Sequence, residues 1–197
     1  MVVYVCIRWE VANFFVLVAI VVMFCFVTGG IEIQRECTEF VKKNGPLLTA
    51  QVYVSKAGRL PCKAVIHAVG PIWSSGHMGE KNLLYETVFN VLEEANKQQF
   101  TSVALPAIST GIYGFPLQLA TSVFLDAVKN FVQQPMLIRK LCEVHIIDQN
   151  ASVISEFCKT AETVFTDVDD AEIVHVSASD GSATKAAARL SSAETSQ

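Results

Sequence analysis

Apolar residues follow two alternating patterns between residues 31 and 165. Four stretches repeat apolar side chains every three or four residues, which is typical of helices that bury one face. Four short apolar runs lie beside them, as expected of strands in a covered sheet. The helical stretches are 33–41, 83–95, 117–131 and 153–164, and the strands are 51–54, 64–69, 101–105 and 143–147. This alternation predicts an α/β fold with a largely parallel sheet between helices.

A different pattern occupies residues 1–28. The stretch 11–27 has no charged residue and a single amide, that of Asn13. Because about 17–25 apolar residues span a bilayer, a transmembrane or signal-anchor helix is one interpretation. A cleaved signal peptide ending near residues 28–30 is the second. The third is a buried strand or helix of the domain, since β-branched residues and Phe dominate the stretch, or a sequence that does not belong to the mature protein.

The periodicity ends after residue 166. Residues 177–197 are rich in Ser, Ala, Thr and Gly, which is typical of a flexible tail or an interdomain linker. The sequence therefore predicts an apolar segment over 1–28, a domain over 29–166 and a tail over 167–197.

Charge and cysteine usage narrow the class of protein. The net charge of −4 argues against a general nucleic-acid-binding surface, which needs clustered Lys and Arg. The six cysteines lie far apart without a CxxC pair, so they match neither a zinc site nor a small disulfide framework. We therefore expect no bound metal and free thiols in a reducing compartment. This favours a cytoplasmic or nuclear protein, or a membrane-associated one if 11–27 spans.

The loop 109–115 has the composition of an anion site. It follows a predicted strand and precedes a helix that begins near Pro116. Gly111 and Gly114 allow a ligand to approach the backbone closely. Consecutive N–H groups of such a turn form an anion nest, and the helix adds the positive end of its dipole. The residues alone leave two interpretations open: a phosphate or diphosphate site, or a tight turn whose glycines serve geometry only.

Two other segments are expected at the same edge of the sheet. Ligands of parallel sheets bind beyond the carboxyl ends of the strands. Gly70-Pro71 and the segment 148–150 both follow predicted strands. We therefore expect them to lie near the loop 109–115.

The histidines give no catalytic arrangement. His67 lies inside a strand and is interpreted as a core histidine, His77 lies in a loop and is interpreted as solvated, and His145 has no obvious partner. Neither a Ser–His–Asp nor a Cys–His arrangement follows from the spacing. The sequence therefore predicts no catalytic residue.

Four motifs together resemble the macrodomain, a module that binds ADP-ribose. Their order and spacing fit, and they cover roughly residues 30–165. The motifs are EIQREC at 32–37, LPCK at 60–63, VIHAVGP at 65–71 and AISTGIYGFP at 107–116. The resemblance is closest to the macrodomains of multidomain poly(ADP-ribose) polymerases. It implies a three-layer sandwich with a mixed sheet between helices.

The resemblance also implies a ligand and its contacts. The ligand would be ADP-ribose, free or attached to proteins, with no further cofactor. Gly70 and Pro71 would line the cleft floor, and Ile147 and Asp148 would lie near the adenine. The diphosphate and distal ribose would bind to Ser109, Thr110, Gly111, Ile112, Tyr113, Gly114 and Phe115.

The chain departs from the family at its N-terminus. A complete macrodomain begins with strands and a first glycine-rich loop, and none of these is recognisable before Ile31. The segment 1–28 stands in their place, and part of 11–27 is a candidate surrogate strand for the edge left exposed. The missing loop predicts weakened ADP-ribose binding.

Two alternatives to ADP-ribose binding remain at this point. The chain is a membrane-anchored or protein-interaction remnant without ligand binding, or an ADP-ribosyl hydrolase. The residues that this resemblance would use for hydrolysis, an Asn and the first glycine-rich loop, are absent, so we expect no catalytic activity. Transferase activity of relatives would need a domain that this sequence does not contain.

Overall fold

The computed structural model describes residues 2–5, 29–135, 139–165, 173–177 and 184–189. The helices in these ranges are α1 (Ile31–Asn44), α2 (Glu80–Lys97), α3 (Leu117–Val132) and α4 (Ala151–Val164). The strands are β1 (Val2–Val5), β2 (Val52–Lys56), β3 (Ala64–Ala68), β4 (Ser102–Leu105), β5 (Glu143–Asp148), β6 (Ile173–Ser177) and β7 (Thr184–Arg189). All the elements expected between residues 31 and 165 are present.

The strands form one mixed sheet in the order β2-β3-β1-β4-β5-β7-β6. The central strands β3, β1, β4 and β5 run parallel, while β2 on one side and β7 and β6 on the other pair antiparallel. The predicted α/β fold is confirmed. The carboxyl ends of the four parallel strands meet at one edge, where loops of such sheets bind ligands.

Helices cover both faces of the sheet. Helices α2, α3 and α4 pack on one face, where Phe124, Phe131 and Phe157 are at most 2% exposed. Each such side chain contributes about 1.5–3 kcal/mol through burial. Helix α1 covers β2 and β3 on the other face: its Ile33 is 1% exposed, and its Phe40 stacks on Tyr53 of β2 at 4.0 Å between ring centroids.

Strand β1 lies in the centre of the sheet, between β3 and β4. Its Val2 pairs with Ala64 on one side and with Val103 on the other. β1 thus occupies the position in the sheet that was expected to be an exposed edge, and a surrogate strand within 11–27 stays a prediction. Two partners satisfy the backbone groups on both sides of β1, and its valines favour a strand. The stretch 11–27 lies outside the described residues, and within those residues no helix is long and apolar enough to span a membrane.

Strands β6 and β7 extend the sheet beyond β5. β7 pairs antiparallel with β5, and β6 pairs with β7. The stretch 167–197, expected to be a flexible tail or linker, therefore contains two strands. The free edge of β5 explains the difference, because its N–H and C=O groups find partners in β7. The Ala-rich sequence of β7 has little strand propensity of its own and gives no local signal.

Candidate functional site

The loop 109–115 is a compact turn that joins β4 to α3. The N–H of Phe115 donates to the carbonyl of Ser109 at 3.0 Å, and the N–H of Gly114 donates to the carbonyl of Gly111 at 2.9 Å. At the start of the turn, the Thr110 hydroxyl donates to the carbonyl of Ala107 at 2.8 Å. These internal hydrogen bonds fix the turn at the N-terminal end of α3, where the helix dipole favours an anion.

Several donors of the turn are left for a ligand. Within the described part of the chain, the N–H groups of Ser109, Gly111 and Ile112 make no hydrogen bond. An added Cβ at Gly111 or Gly114 would meet no atom within 4 Å, so the space beside the turn is open. Open space next to unpaired N–H groups is the geometry of an anion nest.

Ser109 has the least ordinary environment in the turn. Its φ is 65°, a left-handed conformation that few residues other than glycine adopt. Its hydroxyl oxygen is buried without a hydrogen-bond partner. Backbone strain and an unpaired buried hydroxyl both raise the free energy of the folded state, and such features cluster at binding sites.

The structure brings Gly70 to this hydroxyl. A Cβ added at Gly70 would contact the Ser109 Oγ and would lie 2.6 Å from Cγ2 of Ile108. Only glycine therefore lets the chain after β3 pass so close to the turn after β4. Pro71 follows and is buried. This contact agrees with the expectation that Gly70-Pro71 lies near the turn 109–115. The roles of Gly70-Pro71 and the turn in ligand binding stay predictions.

Trp73 also lies beside the turn, although no motif in the sequence points to it. Its backbone N–H donates to the carbonyl of Tyr113 at 2.9 Å. Its ring lies 4.6 Å from the ring of Phe115, tilted by 57°. An aromatic residue shortly after Gly70-Pro71, at the edge already expected to hold the ligand, is the signal that could have found it.

Ile147 and Asp148 end β5, beside the turn that follows β4. Both are half-buried, and Oδ1 of Asp148 accepts the N–H of Asn150 at 2.8 Å. Among the described residues, no hydrogen bond links either of them to the turn 109–115. They lie at the predicted edge, and their proximity to an adenine stays a prediction.

His67 is a core residue, as expected. It is 2% exposed; its Nε2 lies 2.8 Å from Oγ of Ser55 and 3.5 Å from Sγ of Cys37. Burial lowers the pKa of His67 to about 4, although Glu36 opposes this. Burial, with a further contribution from Glu36, raises the pKa of Cys37 to about 11. At neutral pH both groups are therefore uncharged, and Cys37 is not an activated nucleophile.

His77 and His145 show no catalytic arrangement either. His77 is exposed. His145, expected to lack a partner, has its Nε2 at 3.2 Å from Oε2 of Glu143; two residues apart on one strand, they share a face. In the described ranges, no group of three His, Cys, Asp or Glu side chains is placed to hold a metal ion.

A cleft of about 600 Å³ lies between the end of α1, the start of β2 and α2. Its polar groups are largely occupied by neighbouring backbone. Asn90 donates to the carbonyl of Ala50 at 2.9 Å, and Gln51 accepts the N–H of Leu48 at 2.9 Å. None of the residues predicted to bind the ligand lines this cleft, so the turn 109–115 is the better candidate site.

The family model of the Macro domain matches residues 25–124 of this chain. The chain belongs to the macrodomain family. Among solved structures, an Oceanobacillus iheyensis macrodomain mutant with ADPR is 27% identical and superposes with a TM-score of 0.65, over 72% of this chain and 75% of that one. This likeness agrees with the fold described above.

Two related proteins with descriptive names are a transferase and a deacetylase. The protein mono-ADP-ribosyltransferase PARP9 of Mus musculus is 33% identical over 140 residues, which are 70% of this chain and 16% of that protein. The O-acetyl-ADP-ribose deacetylase of Escherichia fergusonii is 34% identical over 123 residues, 62% of this chain and 70% of that protein. An uncharacterised Thermotoga maritima protein is 43% identical over 106 residues, and the chain spans only 18% of its length.

Proposed function

We propose that this macrodomain binds ADP-ribose, free or attached to proteins, with the diphosphate held by the turn 109–115. The observation that carries the proposal is the set of unpaired donors in this turn. They are three N–H groups and the buried hydroxyl of Ser109, at the carboxyl edge of parallel strands. A diphosphate would give these donors acceptors and would lie at the positive end of α3.

The comparisons support this choice of ligand. The related Oceanobacillus iheyensis macrodomain was solved with ADPR. The names of the two characterised relatives describe ADP-ribosyl chemistry. The ring of Tyr113 and the floor at Gly70 and Pro71 would then serve the ribose side of the ligand.

We expect the affinity for ADP-ribose to be weaker than that of a macrodomain with a first glycine-rich loop. Between β1 and α1 the sequence has glycine only at Gly29 and Gly30, directly before the helix, so we expect no first glycine-rich loop. Each hydrogen bond to a charged group contributes about 1.5–3 kcal/mol, and about 1.4 kcal/mol is a tenfold change in affinity. The loss of two such bonds would weaken binding by at least about a hundredfold.

Isothermal titration of the full chain with ADP-ribose tests the proposal. Gly111→Glu is the informative variant, because the site of its Cβ is open and its carboxylate would repel the diphosphate. Gly111→Gln, of equal size and without charge, is the matched control. We expect heat with the wild-type chain, none with Gly111→Glu, and weaker but measurable heat with Gly111→Gln. No heat from a folded wild-type chain would refute the proposal.

Hydrolysis of an ADP-ribosyl ester is the second candidate. The observation in its favour is the 34% identity to the Escherichia fergusonii deacetylase. In the described part of the chain, His67 is buried beside Ser55 and gives no accessible base. Incubation with O-acetyl-ADP-ribose decides the matter: acetate release that Gly111→Glu abolishes would establish hydrolysis, and absence of release would leave binding alone.

A further inference from the structure

The segment 71–79, between β3 and α2, closes around one carboxylate. This carboxylate belongs to Glu80, the first residue of α2, and the side chain is 2% exposed. Its Oε1 accepts the N–H groups of Ser74 (3.3 Å), Ser75 (3.2 Å) and Gly76 (3.1 Å) and the Ser74 hydroxyl (2.8 Å), and its Oε2 accepts the N–H of Met78 (2.7 Å).

The carboxylate is held in its ionised form. Burial alone would raise the pKa of Glu80, but hydrogen bonds from its own backbone, Ser74, Ser75 and Met78 outweigh burial and hold the pKa well below its ordinary value. The side chain thus occupies its N–H donors as a bound anion would. Its removal would deprive four backbone N–H groups of their common acceptor at once.

The same segment carries Trp73 to the candidate site. A Cβ added at Gly76 would lie 2.8 Å from Cη2 of Trp73, so the segment packs directly on the indole. The backbone N–H of Trp73 donates to the carbonyl of Tyr113, and its indole packs on Phe115. A continuous set of contacts therefore runs from Glu80 through Trp73 to the turn 109–115.

We propose that Glu80 is a positioning residue for the ligand-binding turn of this macrodomain. By gathering the N–H groups of 74–78, it fixes Trp73 against Tyr113 and Phe115 and thereby sets the orientation of the turn's free donors. Glu80 does not touch the ligand. The inference rests on the proposed function, because the effect on affinity requires ADP-ribose to bind at the turn.

The test uses the full chain with Trp9→Phe, which leaves Trp73 as the single tryptophan of the two in the sequence. Glu80→Ala removes the carboxylate, and Glu80→Gln keeps its shape but replaces one acceptor oxygen by a donor. Glu93→Gln, on the exposed side of the same helix, is the matched control. Two quantities are measured: ADP-ribose affinity by titration calorimetry, and the emission maximum of Trp73.

We expect both Glu80 variants to bind ADP-ribose at least about tenfold more weakly and to show a shifted Trp73 emission, whereas Glu93→Gln changes neither. Acetate should enter the vacated N–H cluster of Glu80→Ala and restore part of both quantities. Chloride at equal ionic strength should not restore them. A general loosening of the fold would not respond to acetate in this way.

Unchanged affinity and emission in Glu80→Ala would overturn the inference, as would a loss that acetate does not reverse in a cooperatively folded variant. If Glu80→Ala fails to fold, the same two quantities are measured in Glu80→Gln and Ser74→Ala, which remove fewer hydrogen bonds. Unchanged ADP-ribose affinity and Trp73 emission in both would then overturn the inference. If the wild-type chain does not bind ADP-ribose, the proposed function fails. The emission of Trp73 and its response to acetate then still decide whether Glu80 positions Trp73.

Discussion

Replacing Ser109 with alanine removes one buried oxygen atom and leaves the backbone of the turn in place. In the absence of ligand, the Ser109 hydroxyl is buried without a partner. An unsatisfied buried polar group costs about 1–3 kcal/mol. We therefore expect Ser109→Ala to raise the free energy of unfolding of the ligand-free protein by about 1–2 kcal/mol, the small cavity left by the oxygen offsetting part of the gain.

The same change should weaken ligand binding. If the hydroxyl donates to the diphosphate, its loss removes a hydrogen bond to a charged group worth about 1.5–3 kcal/mol. This corresponds to roughly a ten- to hundredfold weaker affinity for ADP-ribose. The prediction is thus a pair of effects with opposite signs, higher stability and lower affinity, from one substitution.

Urea unfolding followed by circular dichroism measures the first effect, and calorimetric titration measures the second. Ser155→Ala, on the exposed side of α4, is a control that should leave the affinity unchanged. A less stable Ser109→Ala protein would show that the hydroxyl stabilises the ligand-free fold, contrary to the structure. Unchanged affinity in a binding-competent protein would show that it does not contact the ligand.

Four further predictions follow from other features. Gly70→Ala should destabilise the fold by about 1–3 kcal/mol through overpacking against Ser109 and weaken ADP-ribose binding, whereas Gly111→Ala should unfold at the same urea concentration as wild type. Gln99 follows α2 in the left-handed conformation, with a φ of 60°, and the Phe100 N–H donates to the Ala95 carbonyl. Because glycine adopts this conformation without strain, Gln99→Gly should raise the free energy of unfolding by about 0.5–1 kcal/mol, measured by thermal unfolding. Burial lowers the pKa of His67 to about 4 from 6.5. The unfolded state therefore binds more protons than the folded state below pH 6.5, and the free energy of unfolding should fall by about 3 kcal/mol as the pH drops from 6.5 to about 4. In urea titrations at several pH values, His67→Gln should lose this pH dependence. A pH dependence that the substitution leaves unaltered would refute the assignment to His67. A membrane anchor over 11–27 predicts that a fluorescent fusion sediments with membranes and resists carbonate extraction, and recovery in the supernatant would exclude it.

Local patterns in the sequence account for much of the fold. Asn44-Gly45-Pro46 is a typical end of a helix, and α1 ends at Asn44, with Gly45 at a φ of 81°. The sequence predicts the turn 109–115 because small residues between an apolar strand and an amphipathic helix are a local feature. Its geometry could be anticipated on that basis, but the burial of the Ser109 hydroxyl could not.

Features that depend on distant partners were not predictable. Strand β1 has only four residues, and its place between β3 and β4 is decided by partners far along the chain. Strand β7 depends in the same way on the free edge of β5. From the sequence, Glu80 is only an acidic residue at the start of a helix, where such residues are common. Hydrophobic periodicity does not show that the loop before the helix folds back onto its carboxylate.

The central position of β1 has a consequence for the order in which the protein assembles. Val2 is synthesised long before its partners Ala64 and Val103. The sheet therefore closes late, and contacts of such long sequence separation slow folding. A chain shortened to begin at residue 29 would lose a strand from the middle of the sheet. Its two halves, β2-β3 and β4-β5-β7-β6, would then have no hydrogen-bonded connection with each other.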